Sequence, residues 1–426
     1  MSSWIGLGLL GVLLASAMPI FVALGATAAL LLWTEGKSLA GIAQIVVDGL
    51  NSNALIAVPF FVMAAIFMDR GGVARALIDG ASAWVGRARG GLAIVCVVAA
   101  TIFAAVCGSS TASAMALGTV LIPAMMARGY DRPFSVGVIG ASGTLGILIP
   151  PSLPLIVFGI IADESVPRLF VAGIIPGLIQ AALFIGLIVV IAHRRGLARE
   201  PALTRTEFIR RNMQAIPALV IPVVVLGGIY SGIVTVTEAA ALAALMALVV
   251  SLGFYRDLRL TQIPGLLTES MRGSAAIILI VASALVFGHW MTESGLPARL
   301  VQGVIAAGIE GWQFLLIMNL LLLVLGCILE VISIILITLP VVLPILASLG
   351  IDPIHYAIIL TVNMEIAVLT PPVGLNLFVM SSITGAPMAE VVRGVSPFIF
   401  LLLAYLGLIT YVPEISTFLP RYVFGS

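Results

Sequence analysis

Hydrophobic positions occur along the chain in long uninterrupted runs, which are separated by short polar or charged segments. A helix needs about 20 mostly apolar residues to cross a bilayer. The runs that approach or exceed this length lie at about 4 to 33, 53 to 68, 134 to 162, 169 to 192, 214 to 230, 235 to 254, 273 to 290, 354 to 384 and 396 to 413. The pattern therefore predicts an all-α polytopic membrane protein with about nine crossings.

Two further pairs of apolar segments, at about 90 to 127 and 312 to 349, are each interrupted midway by small or polar residues. We interpret each pair as a re-entrant hairpin that returns to the side of the membrane from which it entered. Irregular backbone at membrane depth is tolerated only where protein encloses it or where it lines a wet cavity. The tips of both hairpins are therefore expected to lie inside the protein.

Two of the crossing runs contain Gly and Pro where a membrane helix should continue. These segments are GASGTLGILIPPSLPLIVFG at 140 to 159 and EIAVLTPPVGLNLFV at 365 to 379. Proline removes a backbone donor and clashes with the preceding turn, so each segment should interrupt its helix. The runs at 134 to 162 and 354 to 384 are thus predicted to be broken transmembrane helices, whose freed backbone groups need polar partners.

Composition agrees with a membrane protein, because 61% of the residues are hydrophobic and only 9% are charged. About a quarter of the residues are charged in an average soluble domain. The N-terminus lacks a basic segment before its apolar run, which favours a retained membrane helix over a cleaved signal peptide. The three cysteines, Cys96, Cys107 and Cys327, have neither disulfide nor zinc spacing and are expected to pack in the interior.

The positions of the basic residues predict the topology, whereas the net charge of +1 gives no sign of a nucleic-acid partner. With a cytoplasmic N-terminus and two re-entrant hairpins, only Lys37, Arg168, Arg299 and Arg421 of the 20 basic residues lie outside. Positively charged residues are enriched in cytoplasmic segments, which supports this drawing. The C-terminus then lies on the outer, periplasmic side.

The basic segment 193–211 is predicted to be a cytoplasmic loop that separates two repeats, 1–192 and 212–426. Seven Gly, Pro and Asp positions recur at a spacing of 221 residues: Pro123, Gly129, Asp131, Pro150, Pro151, Gly173 and Pro176 match Pro344, Gly350, Asp352, Pro371, Pro372, Gly394 and Pro397. Because the two hairpins open to opposite sides in the predicted topology, the repeats are inverted. Inverted repeats are a ground plan of secondary transporters.

Polar residues cluster at the hairpin tips and at the helix breaks, where oxygen atoms could hold a small cation. The candidates in the first half are Gly108, Ser109, Ser110, Thr111, Gly143, Thr144, Gly146, Pro150, Pro151 and Ser152, and those in the second half are Glu330, Asn363, Thr370, Pro371, Pro372, Gly374 and Asn376. The alternative is that the hydroxyl groups only bond neighbouring helices. For Glu330 and Glu365, a ligand contact and a structural ion pair both remain open.

The sequences GSSTASA, GTLGILIPPS, LEVISIILITLPVVLPI and EIAVLTPPVGLNLF resemble the large membrane subunit of tripartite ATP-independent periplasmic (TRAP) transporters. The similarity extends over essentially the whole chain, although Glu330 stands where the family more often has aspartate. It implies a sodium-driven importer of the bacterial inner membrane that works as an elevator. In this mechanism both hairpins and both broken helices slide against a scaffold.

The resemblance also implies ligands and partners. Two or more transported Na⁺ ions are expected, with no organic cofactor, and the residues implied for sodium are Ser109, Ser110, Gly143, Thr144, Gly146, Thr370 and Gly374. The implied partners are a small four-helix membrane subunit and a soluble periplasmic substrate-binding protein. The implied substrate is an organic acid, such as a C4-dicarboxylate, sialic acid or a related sugar acid.

The amphipathic stretches at 69 to 91 and 292 to 312 are predicted to be interfacial arms that carry the hairpins. A sodium/dicarboxylate symporter without a binding protein is the nearest alternative function, and a passive channel is a remote one. An enzyme is not expected, because the chain has only three histidines and contains neither HExxH nor GxSxG.

Overall fold

A computed structural model describes residues 2–16, 18–36, 40–197 and 203–425, and every regular element in these ranges is helical. The α-helices are α1 (Ser2–Ala15), α2 (Ile20–Thr34), α3 (Ala40–Leu50), α4 (Asn53–Arg70), α5 (Val73–Val85), α6 (Gly91–Cys107), α7 (Ser110–Ala127), α8 (Arg132–Leu148), α9 (Leu153–Ala162), α10 (Val166–Arg194), α11 (Arg205–Tyr230), α12 (Val236–Val249), α13 (Ile263–Glu293), α14 (Leu296–Ala306), α15 (Gly311–Gly326), α16 (Val331–Leu349), α17 (Pro353–Ala367), α18 (Leu375–Thr384), α19 (Met388–Tyr411) and α20 (Glu414–Phe424). A π-helical segment, Val250–Tyr255, extends α12, and a 3₁₀ turn, Leu260–Gln262, precedes α13.

Nine helical segments of the described chain are long and apolar enough to cross a membrane. They differ from the predicted set in part, because Ser110–Ala127 and Val331–Leu349 are included. These are the second helices of the two predicted hairpins. Length and composition alone would therefore let each of them cross the bilayer, and the re-entrant arrangement stays a prediction.

The run at 4 to 33, predicted to be one crossing, is divided into two helices, α1 and α2. Pro19 precedes the first residue of α2 with backbone angles of φ −54° and ψ 134°, which are not helical. Proline lacks an amide hydrogen and clashes with the preceding turn, so a helix cannot continue through this point without a kink. The short helices α3 and α20 were also not anticipated as separate elements.

The two predicted hairpin segments each form a pair of helices joined by a short tip. Helices α6 and α7 meet at Gly108 and Ser109, and α15 and α16 meet at residues 327–330. The two interrupted runs each form two helices, α8 followed by α9 and α17 followed by α18. The Pro150–Pro151 and Pro371–Pro372 peptide bonds in the two interruptions are both cis.

Two groups of helices are each closely packed. Helix α4 packs along α12 and α2 packs along α13, whereas α8 packs against α6, α7 and α19. A Cβ atom on Gly137 of α8 would overlap the carbonyl oxygen of Gly394 in α19, so these backbones are in direct contact. This close crossing holds the first broken helix firmly in the protein interior.

The predicted basic loop is shorter in the structure than in the sequence analysis. Helix α10 continues through Arg194 and α11 begins at Arg205, so only the residues between them connect the two halves. Residues 198–202, including Arg199, lie outside the described residues, as does Lys37. Helices α5 and α14 lie within the predicted arms at 69 to 91 and 292 to 312.

Candidate functional site

The tip of the first hairpin lies directly against the first broken helix. A Cβ atom added to Gly146 would lie 2.7 Å from the carbonyl oxygen of Ser109, and one added to Gly143 would lie 3.1 Å from that of Ser110. Gly108 has a φ of 62° and faces the carbonyl oxygen of Pro151, where a Cβ atom would lie at 2.8 Å. Glycine is needed at these positions because no side chain fits between the backbones.

Serine side chains cap the two helices that begin at this contact. Ser109 Oγ accepts a hydrogen bond from the amide of Ala112 at 3.5 Å, and Ser109 and Thr111 have hydroxyl oxygens 3.3 Å apart. Ser152 Oγ donates to the carbonyl oxygen of Ile147 at 2.5 Å and caps α9. Pro150, Pro151 and Ser152 are all buried. The first tip and the first break therefore form one enclosed polar region.

Asn376 joins the second broken helix to this first region. Its Nδ2 donates to Ser110 Oγ at 2.7 Å and to the carbonyl oxygen of Gly140 at 3.0 Å. Its Oδ1 is buried without a hydrogen-bond partner. Sequence analysis grouped Asn376 with the second hairpin, whereas the structure places its side chain at the first hairpin tip.

The second hairpin meets the second break through main-chain groups. The amide of Val373 donates to the carbonyl oxygen of Cys327 at 3.3 Å. Within the hairpin, Ser333 Oγ donates to Glu330 Oε1 at 3.2 Å. Thr370 Oγ1 donates within its own helix to the carbonyl oxygen of Ile366 at 2.7 Å. The neighbouring Pro371 and Pro372 are exposed, while Gly374 is buried in the left-handed conformation at φ 48°.

Two of the predicted site residues point elsewhere. Asn363 Nδ2 donates to Asn319 Oδ1 at 2.8 Å, and Asn319 Nδ2 donates to Thr410 Oγ1 at 2.9 Å, which forms a buried polar chain between α15, α17 and α19. Thr144 Oγ1 accepts a hydrogen bond from Gln180 Nε2 of α10 at 3.3 Å. Of the predicted site residues, the described lining of the cavity between the hairpin tips contains Gly108, Ser109, Ser110, Thr111 and Glu330, and neither Asn363 nor Thr144 is part of it.

A cavity of about 340 Å³ lies between the two tips and the two breaks. Its lining comprises residues 108–111 of the first tip, residues 330–332 of the second tip, Ile147, Leu153 and Pro154 of the first break, Val368 and Leu375 of the second break, and Ala276, Ile277 and Ile280 of α13. Glu330 is the only charged residue of this lining. The contribution of α13 was missed, because nothing in its apolar sequence distinguishes it from an ordinary membrane helix.

Four helices begin at this cavity. The first residues of α7, α9, α16 and α18 are Ser110, Leu153, Val331 and Leu375, and all four line the cavity wall. The first amides of a helix lack intrahelical partners and carry a partial positive charge. The four N-termini thus favour an anion at this place, the described lining holds no lysine or arginine, and Glu330, the N-cap of α16, opposes the N-termini with its negative charge.

Outside the membrane-spanning segments, ionisable groups cluster beside the arm helix α5. Burial raises the pKa of Asp79, and the guanidinium groups of Arg211, Arg75 and Arg210 oppose that rise. Arg75 also lies 3.4 Å from Asp257. Among the described residues, no group of three or more His, Cys, Asp or Glu side chains is arranged to hold a metal ion.

The chain is similar in sequence to proteins of one transporter family. A family model described as "Tripartite ATP-independent periplasmic transporter, DctM component" matches residues 7–415. The chain is 43% identical to the C4-dicarboxylate TRAP transporter large permease protein DctM of Pseudomonas aeruginosa, with 87% of this chain and 86% of the relative covered. It is 33% identical to the sialic acid TRAP transporter large permease protein SiaM of Vibrio cholerae, with 99% and 98% covered.

Among solved structures, the chain is similar in fold to the YdaH transporter of Alcanivorax borkumensis, with a TM-score of 0.58 and 16% sequence identity. The similarity covers 88% of this chain and 87% of that one. At this level of identity it supports the helical architecture alone.

Proposed function

This chain belongs to the DctM component family of the tripartite ATP-independent periplasmic transporters, and on that premise we propose that it imports an organic acid. It is a multi-pass protein of the inner membrane, and its relatives are permeases rather than enzymes. The substrate classes named for two relatives are a C4-dicarboxylate and sialic acid. We extend this range to related sugar acids for the present chain.

The observation that carries the proposal is the set of four helix N-termini around one cavity. Each helix N-terminus is equivalent to roughly half a positive charge. An organic acid carboxylate at this place would gain favourable electrostatics from the helix N-termini. The cavity, at about 340 Å³, is within the size range of small-molecule sites, roughly 300–1,000 Å³.

Sodium coupling is the second part of the proposal, with two or more Na⁺ ions transported in each cycle. Gly143 and Gly146 bring α8 against the carbonyl oxygens of Ser109 and Ser110, which are hard ligands suited to a small cation. Thr370 and Gly374 are the corresponding candidates in the second half. Bound cations would offset the negative charges of Glu330 and of the substrate in a site of low dielectric.

Reconstitution in proteoliposomes tests the function. The chain is inserted together with the small membrane subunit and the soluble binding protein encoded with it, and labelled C4-dicarboxylate or sialic acid is supplied outside. We expect uptake that requires an inward sodium gradient and both partners. Strong uptake without the binding protein would favour the sodium/dicarboxylate symporter instead, and downhill flux without sodium would favour a channel.

An elevator motion is the third part of the proposal, with the N-terminus cytoplasmic and the C-terminus periplasmic. Helix α13 packs on α2 and α4 but also contacts α16 of the second hairpin. A Cβ atom on Gly288 of α13 would lie 4.0 Å from Cβ of Pro340 in α16, which is a suitable separation for a disulfide. This pair therefore spans the expected boundary between scaffold and moving domain.

Cysteines at Gly288 and Pro340, in a background that lacks Cys96, Cys107 and Cys327, should form a crosslink that stops uptake until reductant is added. The matched control joins Gly25 of α2 to Ser283 of α13, whose Cβ separation would be 3.6 Å within the scaffold. This control crosslink should leave most of the uptake intact. If the boundary crosslink leaves uptake intact and the scaffold crosslink stops it, the elevator assignment is wrong.

A further inference from the structure

Glu365 of α17 is fully buried, and neither of its carboxylate oxygens has a hydrogen-bond partner. An ionised carboxylate without a partner is very unfavourable in a protein interior. It is stabilised only by a positive charge or by hydrogen-bond donors. Glu365 does not line the cavity between the hairpin tips, so the substrate site does not explain it.

The side chain of Gln180 from α10 lies beside this carboxyl group, although the two form no hydrogen bond of normal geometry. Gln180 Oε1 is itself buried without a partner, while Nε2 donates to Thr144 Oγ1 at 3.3 Å. Tyr405 is also near Glu365, but its hydroxyl donates to the carbonyl oxygen of Pro176 at 2.7 Å. Unpartnered acceptor oxygens of Glu365 and Gln180 thus lie close together, and the Gln180 amide that could serve as a donor is already bonded to Thr144.

The side chains of this cluster point away from the tip of the first hairpin. Gly143 and Gly146 face the backbone of the hairpin tip, whereas the Thr144 side chain between them contacts α10. Thr144 and Glu365 are 221 residues apart, which is the spacing that relates the two halves of the chain. Equivalent residues of the two halves therefore contribute to one polar cluster, with Gln180 in contact with both.

We propose that Glu365, Gln180 and Thr144 form a binding site for one monovalent metal cation, separate from the ion positions at the hairpin tips. Carboxylate, amide and hydroxyl oxygens are ligands that hard cations prefer. One positive charge balances the single carboxylate, whereas a divalent ion would leave a net charge buried. The identification of the cation as sodium rests on the proposed sodium-coupled function.

The test measures equilibrium binding of ²²Na⁺ to the full-length chain in lipid nanodiscs, with choline replacing sodium to set ionic strength. Glu365→Gln should bind one sodium ion fewer than wild type at saturation. Gln180→Leu, which keeps the carboxylate, should weaken one binding event at least tenfold, roughly the effect of losing a ligand to a buried charge. Thr361→Val is the matched control, because its buried hydroxyl bonds only within α17, to Ala357 at 2.7 Å.

Infrared difference spectra of wild type with and without sodium provide a second measurement. A sodium-induced change in an ionised carboxylate band that is absent from Glu365→Gln is the expected result. Wild-type sodium binding in Glu365→Gln, together with a protonated-carboxyl band missing from that variant, would overturn the site and leave sodium coupling standing. Absence of sodium binding to wild type would overturn both this site and the proposed coupling.

Discussion

In the first half of the chain α6 and the proline pair of the break are buried, whereas in the second half α15 and the proline pair are more exposed, although α17 is buried. Pro150 and Pro151 are buried, but Pro371 and Pro372 are not. Helix α6 is rich in Ala and Val and almost entirely buried, while α15 is rich in Leu and leaves one face outside the packed protein. The same Gly and Pro signals therefore produce two breaks that differ in packing.

The residues that form the close contact between hairpin and broken helix also differ between the two halves. In the first half Gly143 and Gly146 of the broken helix receive the backbone of the hairpin tip, while Gly108 of the tip faces the Pro151 carbonyl oxygen. In the second half the glycine is on the hairpin, where Gly326 packs against the methyl group of Ala367. A backbone oxygen can shift less than a side-chain methyl group can. The first contact should therefore tolerate substitution less well.

The largest effect is expected from Gly146→Val in the first half. Its Cβ atom alone would lie 2.7 Å from the Ser109 carbonyl oxygen and 2.9 Å from Ser113 Oγ. The hairpin tip would have to move away from α8, which removes the proposed ion position. We expect uptake in proteoliposomes at background level. Gly186→Val in α10, where a Cβ atom meets nothing within 4 Å, is the control and should retain uptake.

Asn376→Leu should have the next largest effect, because it removes the hydrogen bonds that join α18 to the first hairpin tip and to α8. The substitution leaves Ser110 Oγ and the Gly140 carbonyl oxygen without a buried donor, which costs about 1–3 kcal/mol per group. We expect the sodium concentration for half-maximal uptake to rise about tenfold. Ser110→Ala should raise it in the same direction. An unchanged sodium dependence in both variants would remove these residues from the ion site.

Gly326→Ala should have a smaller effect that a second substitution can reverse. The added methyl group overlaps the Ala367 methyl group, and overpacking of this kind costs about 1–3 kcal/mol. We expect a lower thermal midpoint in nanodiscs and a severalfold loss of uptake. The double variant Gly326→Ala, Ala367→Gly should recover much of both. Failure of this rescue would show that Gly326 is needed for a reason other than space.

Local signals in the sequence were sufficient to locate the helix ends beside Pro150 and Pro371, since proline and glycine act on their own segment. Contacts between distant segments could not be predicted in this way. Asn376 and Ser110 are 266 positions apart, and no spacing rule connects them. The carboxyl group of Glu365 looked like a membrane-depth charge in the sequence, but its lack of partners follows only from packing.

The smallest effect concerns an ion pair that joins α8 of the first half to α19 of the second half. Arg132 of α8 donates to Glu390 of α19 through Nε at 2.8 Å and through a terminal nitrogen at 2.9 Å. The positions 221 residues away are Pro353 and Leu169, which cannot form such a pair. The ion pair should therefore strengthen the α8–α19 contact, and the repeat-related contact between α17 and α10 has no counterpart of it.

Glu390→Gln should lower the thermal midpoint slightly at low salt, and the difference from wild type should shrink as salt screens the pair. The matched control is Glu207→Gln, which neutralises a carboxylate that pairs with Arg211 within one helix at 2.7 Å. That variant should leave the midpoint almost unchanged, because its ion pair connects no two helices. Equal shifts in the two variants would indicate a general effect of charge, and the α8–α19 contact would then depend on the close approach of Gly137 and Gly394 alone.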